Sequence, residues 1–277
     1  MPARLPLSAV LITFNCVAPL RATLESLRFC DEILAVDSGS TDGTVALLEE
    51  FGARVIHEPW RGFGPQKQFA VDQATHDWVL CVDSDEIVSP ELQQSILVAL
   101  DKPADQAFEF PRRNRFLGRY LKHGEGYPDY SLRLYDRRQA RWSDDVVHEK
   151  VFTLGTVSRL RGDLLHHSED KIESYLAKQN RYTTLAAQAL LDEGAQISAA
   201  KLLISPLFRF IKFYFLRGGC LDGVAGLIHI LIGCFNSFSK YAKVIELGRQ
   251  GLSRSEKPEA PSDAGGPDKG RGNGLSA

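Results

Sequence analysis

The sequence predicts an α/β fold, a mostly parallel sheet covered by helices on both faces, with amphipathic helices appended on the C-terminal side. Three observations carry this. The first hundred residues alternate short β-branched runs with helical stretches, the pattern of strands buried between two helical layers. Three of the strand-like runs end in polar clusters, at the sheet edge where open α/β sheets bind ligands. From Ser198 onward the chain changes character, to apolar clusters punctuated by cations.

The elements follow in order. Ala9–Phe14 reads as the first strand. Arg4 and the apolar run Leu5–Phe14 resemble the start of a signal peptide, but the run is short, has no small-residue cleavage pattern and ends in a polar turn at Asn15. Glu32–Val36, Arg54–His57 and Trp78–Val82 are the next strands, separated by the amphipathic stretches Leu20–Leu27, Thr44–Phe51 and Gln66–Ala74. Pro65 suits a first helical turn, where its missing N–H costs nothing. Ser89-Pro90-Glu91 announces another helix with a capping hydroxyl, a first-turn proline and an acid favoured by the helix dipole. From Phe108 to Leu165 short strand-like pieces alternate with arginines and aromatics. Asp170–Glu193 reads as a polar amphipathic helix. In Ser198–Gln250 seven cations, among them Lys201, Arg209, Lys212 and Arg217, stand against only Asp222 and Glu246. Gly251–Ala277, rich in Gly, Pro, Ser and charge, is expected to be a disordered tail.

At 277 residues, 44% hydrophobic and 25% charged, the chain holds one large α/β domain and an appended segment. A net charge of −2 argues against a uniformly basic nucleic-acid-binding face, so no nucleic-acid partner is expected. Five scattered cysteines with no C-x-x-C pair read as reduced thiols of a cytoplasmic protein.

Asp83-Ser84-Asp85 follows the apolar strand W-V-L-C-V directly. Two carboxylates in a turn at a strand's carboxyl end can converge on one ligand. A hard divalent ion, Mg²⁺ or Mn²⁺, takes one or two such carboxylates and fills its shell with water and diphosphate oxygens. The bland alternative is a solvated turn that caps the next helix. Asp37 ends the second strand and opens the loop S-G-S-T-D-G-T, whose small residues let the backbone approach a ligand. A carboxylate there can accept from a base N–H or a ribose hydroxyl, while Ser40, Thr41 and Asp42 can cap the following helix. No G-x-G-x-x-G follows the first strand and no G-x-x-x-x-G-K-[ST] occurs, which disfavours dinucleotide and P-loop sites.

Together, L-I-T-F-N, V-D-S-G-S-T-D-G-T, W-R-G-F-G-P-Q-K-Q-F-A and D-W-V-L-C-V-D-S-D-E resemble the nucleotide-binding half of family 2 glycosyltransferases of GT-A fold. P-R-R-N-R-F-L-G-R, H-G-E-G-Y-P-D-Y-S-L-R-L-Y and V-V-H-E-K narrow the resemblance to bacterial lipopolysaccharide inner-core β-1,4-glucosyltransferases and their relatives. The resemblance covers roughly residues 8–248. The expected organisation is a GT-A domain over 1–168, with a nucleotide-sugar half to about 105 and an acceptor half beyond it, then a helical segment over 169–250 whose apolar clusters and cations suit membrane association. The resemblance implies that Thr13, Phe14 and Asp37 hold the base, that Lys67 lies near the nucleotide, that Asp83 faces the ribose and that Asp85 faces the metal. Phe14-Asn15-Cys16 stands where relatives often have Lys-Asn-Glu, and Glu125-Gly126-Tyr127 where Gly-Trp-Tyr is common.

Displacing a nucleoside diphosphate with inversion requires a base that takes the acceptor hydroxyl's proton. Glu149, Asp144 and Asp145 are the candidates. The resemblance favours Glu149, with Asp145 next and His148 as a metal or diphosphate contact. Arg112, Arg113, Arg115, Arg119 and Lys122 crowd one stretch, where guanidinium groups suit an anionic acceptor. Arg112 and Arg115 are the candidates carried forward, and His123, Tyr127 and Asp129 are candidates to line the acceptor sugar pocket. Leu202–Leu216 suits an interfacial helix, while Gly223–Phe235 is shorter than a bilayer span. The expectation is a UDP-sugar donor, most simply UDP-glucose, a lipid-linked oligosaccharide acceptor, and peripheral attachment to the inner face of the cytoplasmic membrane. A nucleotidyltransferase and a non-catalytic nucleotide-sugar sensor are the competing readings.

Overall fold

The computed structural model describes residues 4–144, 149–167, 171–195 and 197–255. In chain order the elements are β1 (Leu7–Thr13), α1 (Val17–Ser26), β2 (Glu32–Asp37), α2 (Thr44–Glu50), β3 (Arg54–His57), α3 (Phe63–Asp72), β4 (Trp78–Cys81), β5 (Glu86–Val88) and α4 (Pro90–Asp101). The second half adds β6 (Ala107–Phe116), β7 (Arg119–Tyr120), β8 (Asp129–Asp136), β9 (Ala140–Trp142), β10 (Val151–Thr153), β11 (Val157–Arg159) and β12 (Leu164–His166). The helices α5 (Ile172–Asp192), α6 (Ala199–Phe210) and α7 (Gly223–Ser255) complete it.

The main sheet runs β3-β2-β1-β4-β8-β6-β12-β5, with β7 and β11 both paired to β6. Its first four strands are parallel, so the ends of β1, β2 and β4 lie along one edge. β8 then runs antiparallel between β4 and β6 and makes the sheet mixed. This is the GT-A architecture. β1, β2 and β4 are buried on both faces, as their continuous apolar runs require, while β3 is the exposed edge strand. One core, built on Leu20, Leu24, Ile96 and Phe110, lies under α1, α2 and α4. The other, around Val36, Ala70, Val79 and Tyr135, lies under α3. α4 begins as its sequence dictates: the Ser89 hydroxyl accepts from Leu92 N–H at 3.2 Å, with Pro90 in the first turn.

The helical segment is fixed to the sheet domain by polar and apolar contacts, among them a Gly124 N–H bond to the Arg217 carbonyl at 2.9 Å. Asp222 accepts from the backbone N–H groups of Lys122 and His123 at 2.9 and 2.8 Å, and is 1% exposed. Arg209 of α6 forms an ion pair with Glu125. A small cluster of Phe116, Leu121 and Ala225, with Tyr175, Ile228 and Ile232 against it, joins β6 to α5 and α7. α6 passes Pro206 and widens into a π-helical turn at Ile211–Leu216.

Beyond Phe235 the structure departs from the sequence reading. The apolar stretch does not stop at Asn236 but continues as one 33-residue helix to Ser255, because Asn236 finds Gln179 of α5 at 2.9 Å and Ser237 finds Ser205 of α6 at 2.8 Å. Together with the turn before it, the stretch Gly219–Arg249 is long and apolar enough to cross a membrane by length and composition, its apolar 18-residue window having a mean hydropathy of 1.5.

Candidate active site

The site grows from the ends of the parallel strands. Asp37 ends β2 next to Thr13 at the end of β1, whose hydroxyl donates to Asp37 Oδ2 at 2.9 Å. The Gly39 and Ser40 N–H groups donate to Oδ1 at 2.9 and 2.8 Å, and the Ser40 hydroxyl donates to Oδ2 at 2.5 Å. The carboxylate's acceptor positions are thus taken up by its own loop. Burial raises the pKa of Asp37, but these donors outweigh it and hold the group below the usual carboxylate range. Asp42 accepts from Thr44 and Val17 and ties the loop to α1. Thr13 and Asp37 therefore shape the turn, whereas Phe14 projects beyond it, 60% exposed, with a ring face open for stacking.

At the end of β4 the charges interlock. Lys67, delivered by α3 and 7% exposed at its side chain, places Nζ 2.8 Å from Asp83 Oδ1 and 2.9 Å from Glu149 Oε1. Arg133 of β8 holds the other Asp83 oxygen at 3.2 Å, and Arg112 of β6 binds the buried Glu86 at 2.5 Å. The Trp142 ring packs near both cations, 4.8 Å from Lys67 Nζ and 5.2 Å from the Arg133 guanidinium. Burial raises the Asp83 pKa, yet Lys67, Arg133 and Arg112 more than offset it and keep the carboxyl well below its ordinary range. Two donors of the cluster, Arg133 Nη1 and Trp142 Nε1, are buried with no hydrogen-bond partner among the described residues.

Asp85 stands apart from this cluster. Its Oδ2 lies 3.1 Å from His166 Nε2, and His166 Nδ1 lies 2.7 Å from Asn114 Oδ1. Strand register makes the group: β12 runs beside β6 with His166 opposite Asn114, and beside β5 with His166 opposite Glu86. With Nδ1 facing the Asn114 side-chain oxygen, Nε2 is the ring nitrogen turned towards Asp85. A cation between a carboxylate and an imidazole fixed in this way would be ligated by both. No cluster of three ligand-type side chains occurs among the described residues. A hard divalent ion that also binds diphosphate oxygens needs only one or two protein ligands, so the residues present fit one.

These groups line one cleft of about 930 Å³. Lys67, Asp83, Asp85, Arg112, Arg133, Glu149 and His166 share it with Arg115 and Phe116. A whole wall comes from α5, through Tyr175, Lys178, Arg181 and Tyr182, and His229 of α7 closes the base.

Of the residues singled out from sequence, Lys67, Asp83, Asp85, Glu149, Arg112 and Arg115 meet here. Arg112 is engaged by Glu86 and so is not a free anion-binding group. His123 and Tyr127 do not line the cleft. His123 Nδ1 is 3.2 Å from Asp222, and the Tyr127 hydroxyl donates to Asp163 at 2.9 Å, so both secure loops. Asp129 is exposed at the start of β8, also outside the cleft lining. Asp145 and His148 lie outside the described residues. Sequence reasoning missed Arg133, His166 and the α5 wall. A charge inside the apolar strand L-R-L and a histidine ending L-L-H were the available signals.

The profile described as Glycosyl transferase family 2 matches residues 8–159. A lipopolysaccharide core biosynthesis glycosyltransferase, LpsC of Rhizobium meliloti, is 34% identical over 89% of this chain and 94% of its own length. A glycosyltransferase of Rickettsia felis without assigned substrate is 31% identical over 93% and 94%. Among known structures, a mannosyltransferase from Pyrobaculum calidifontis in complex with GDP-Man and Mn²⁺ superposes with a TM-score of 0.50 at 14% identity, covering 92% of this chain and 89% of that one.

Proposed function

The chain belongs to glycosyl transferase family 2, and on that premise we propose that it moves a hexose, most simply glucose, with inversion, from a UDP-sugar to a lipopolysaccharide core acceptor. The observation that carries the reading is the cleft in which Asp83, Asp85 and Glu149 meet Lys67 and Arg133. The acceptor class rests on the similarity to LpsC.

In this reading Phe14 stacks on the base while Thr13 and Asp37 keep the turn that carries it. Asp83, fixed by Lys67 and Arg133, meets the ribose, and the unpartnered Arg133 Nη1 donates to the diphosphate. Asp85 and His166 would hold a divalent ion, which would supply positive charge to offset that building on the departing diphosphate. Mn²⁺ accompanies GDP-Man in the Pyrobaculum mannosyltransferase structure, and the Asp85–His166 pair is the observation in this chain that agrees with it. Glu149 takes the proton of the acceptor hydroxyl as its oxygen bonds to the anomeric carbon. The C–O bond to the diphosphate breaks on the opposite face and its electron pair leaves with UDP. Lys67, touching both Asp83 and Glu149, sets the distance between donor and base.

The organisation proposed is a catalytic domain over 1–168 with a helical segment after it that rests on the cytoplasmic face of the membrane. Leu203, Ile204, Leu207, Phe208, Phe215 and Leu216 are exposed on α6 and the π-helical turn, between 60 and 77%. No acid occurs from Ala199 to Arg217, whereas Lys201, Lys212 and Arg217 do. Such a face suits shallow burial among lipid headgroups. α7 lies against α5 and α6, with Asn236 bonded to Gln179 and Ser237 to Ser205, which favours resting on the surface over crossing it.

The decisive experiment measures nucleoside diphosphate release from a panel of nucleotide-sugars with Mg²⁺ or Mn²⁺, with and without lipopolysaccharide acceptor. Asp85→Ala is expected to abolish metal-dependent donor binding. Glu149→Gln is expected to retain donor binding and lose transfer by about 100-fold or more. Transfer by Glu149→Gln at the parent rate would remove Glu149 as the base.

A further inference from the structure

The charges of the cleft are unevenly paired: Lys67, Arg112 and Arg133 sit against carboxylates. The lining carboxylates are Asp83, Asp85 and Glu149, all at the sheet end. The α5 wall opposite contributes Lys178 and Arg181 and no acid. Ser174, Tyr175, Lys178, Arg181 and Tyr182 follow helical spacing, so this is one face of α5 turned into the cleft. Lys178 Nζ and the Arg181 guanidinium each lie 5.9 Å from the Tyr182 ring. No carboxylate pairs with either cation among the described residues, although nearly every other arginine of the cleft has one. Arg115 of β6 lines the same region. Behind it His229 Nε2 lies 3.3 Å from the Tyr175 hydroxyl, and the buried His229 Nδ1 has no partner.

We propose that Lys178 and Arg181 of α5 form an acceptor subsite that binds an anionic substituent, a phosphate or a carboxylate, on the sugar next to the reacting hydroxyl. The helical segment is then part of the specificity apparatus as well as an anchor. The chemistry is that of two cations at a cleft wall with no carboxylate partner among the described residues: a guanidinium fork that matches the planar edge of either anion, and an ammonium that adds charge without fixing geometry. The donor diphosphate has a separate set of partners at the sheet end, in Arg133 and the Asp85–His166 pair. Aromatic groups flank the cations, Tyr182 between them and Tyr175 one turn before, which suits a sugar ring carrying the anion.

This inference rests on the transferase reading, and the test separates the two. Lipopolysaccharide from a strain lacking this gene carries the unfilled acceptor and serves intact, dephosphorylated with hydrofluoric acid, or carboxyl-reduced. With the full-length protein, the Lys178→Ala/Arg181→Ala variant is expected to raise the acceptor KM by about 10- to 100-fold. Its kcat, its inhibition by UDP and its acceptor-independent donor hydrolysis should stay within about threefold of the parent, which also reports that it has folded. Lys178→Arg should keep most of the affinity. The treatment that raises KM for the parent protein identifies the anion, and the double variant should be indifferent to it. An unchanged KM in the double variant overturns the subsite, as does a loss of UDP affinity with acceptor KM intact. If the parent protein transfers nothing to that lipopolysaccharide, the acceptor reading has failed, and calorimetry decides the subsite alone. With the donor site filled by UDP and Mg²⁺, glucose 6-phosphate or glucuronate should bind the parent about tenfold more tightly than the double variant, and glucose should bind neither. Equal binding by parent and variant, or none by the parent, overturns the inference.

Discussion

At the residue scale the site is a set of charges whose partners are distant in sequence. Arg133 is 50 positions from Asp83, and His166 is 52 from Asn114. Both pairings exist only because antiparallel β8 and parallel β12 bring them to the sheet's edge. Arg133→Lys keeps one positive charge but cannot hold Asp83, face Trp142 and present a further donor at once. We expect the inhibition constant for UDP to rise about tenfold, read by competition against donor hydrolysis. The Asp83-Ser84-Asp85 turn was legible in the sequence because carboxylates directly after an apolar strand are conspicuous. The residues that hold it were not, because register is not written locally. His229 gives a second prediction. Burial, and then the Arg209 charge, push its imidazole down to about 4 against a slight opposing pull from Asp222, and Tyr175 is its hydrogen-bonding neighbour. The folded protein therefore refuses a proton that the unfolded chain accepts below about pH 6.5. Stability present above that pH is lost as pH falls towards 4, by roughly 2 kcal/mol at pH 5. Urea denaturation at pH 7.5 and pH 5 should show this loss in the parent protein and a much smaller one in His229→Gln.

Individual elements explain why the strand ends stay in place. The turn between β11 and β12 passes over the start of α4. There Gly162, at φ 93°, offers a Cβ no room against the backbone of Glu91 and Leu92. Asp163 follows it, taking Ser89 Oγ at its N–H and pairing with Arg113, so the turn locks β12 and hence His166. Gly162→Ala should cost on the order of 3 kcal/mol. Gly194→Ala, with φ 74° and nothing within 4 Å, should cost only about 1 kcal/mol. Thermal denaturation of the two variants compares them, and equal losses would mean that backbone conformation alone matters at Gly162. Apart from the three-residue β5, which was not read, the elements of the first hundred residues were readable to within a few positions, since they have their own periodicity and end signals: Thr44 opens α2, Pro90 opens α4, and Arg54–His57 is β3 as read. α7 was cut short in the reading because polar Asn236 and Ser237 look like an end. In the structure they are hydrogen-bonded to α5 and α6, a reason that only packing supplies.

On the scale of the whole molecule, the helical segment has two faces with opposite demands. The inner one is tied down by Asp222 on the Lys122–His123 backbone, by Arg209 on Glu125 and by the apolar cluster at Phe116. Glu125, which stands where glycine is common in the family resembled, is thus the sheet domain's handle for α6. The outer face exposes Leu203, Leu207, Phe208, Phe215 and Leu216 together, far more apolar surface than isolated solvent-facing side chains explain. Its cations, Lys201, Lys212 and Arg217, are separated along the chain by apolar residues, so they can extend to headgroups while the aromatics sink. Because α5 joins this segment to the cleft wall, a protein seated on a bilayer would keep Lys178 and Arg181 within reach of a lipid-linked acceptor. Flotation with vesicles of phosphatidylethanolamine and phosphatidylglycerol should carry the parent protein upward, and Leu207→Glu/Phe208→Glu/Phe215→Glu should leave it in the dense fraction. Replacing phosphatidylglycerol by phosphatidylcholine, or raising salt to about 1 M, where charges are screened within roughly 3 Å, should weaken flotation without abolishing it, since burial of the apolar side chains does not depend on charge. Donor hydrolysis by the triple variant should match the parent, because none of the three residues lines the cleft. Flotation of the triple variant alongside the parent would assign the outer face to something other than lipid.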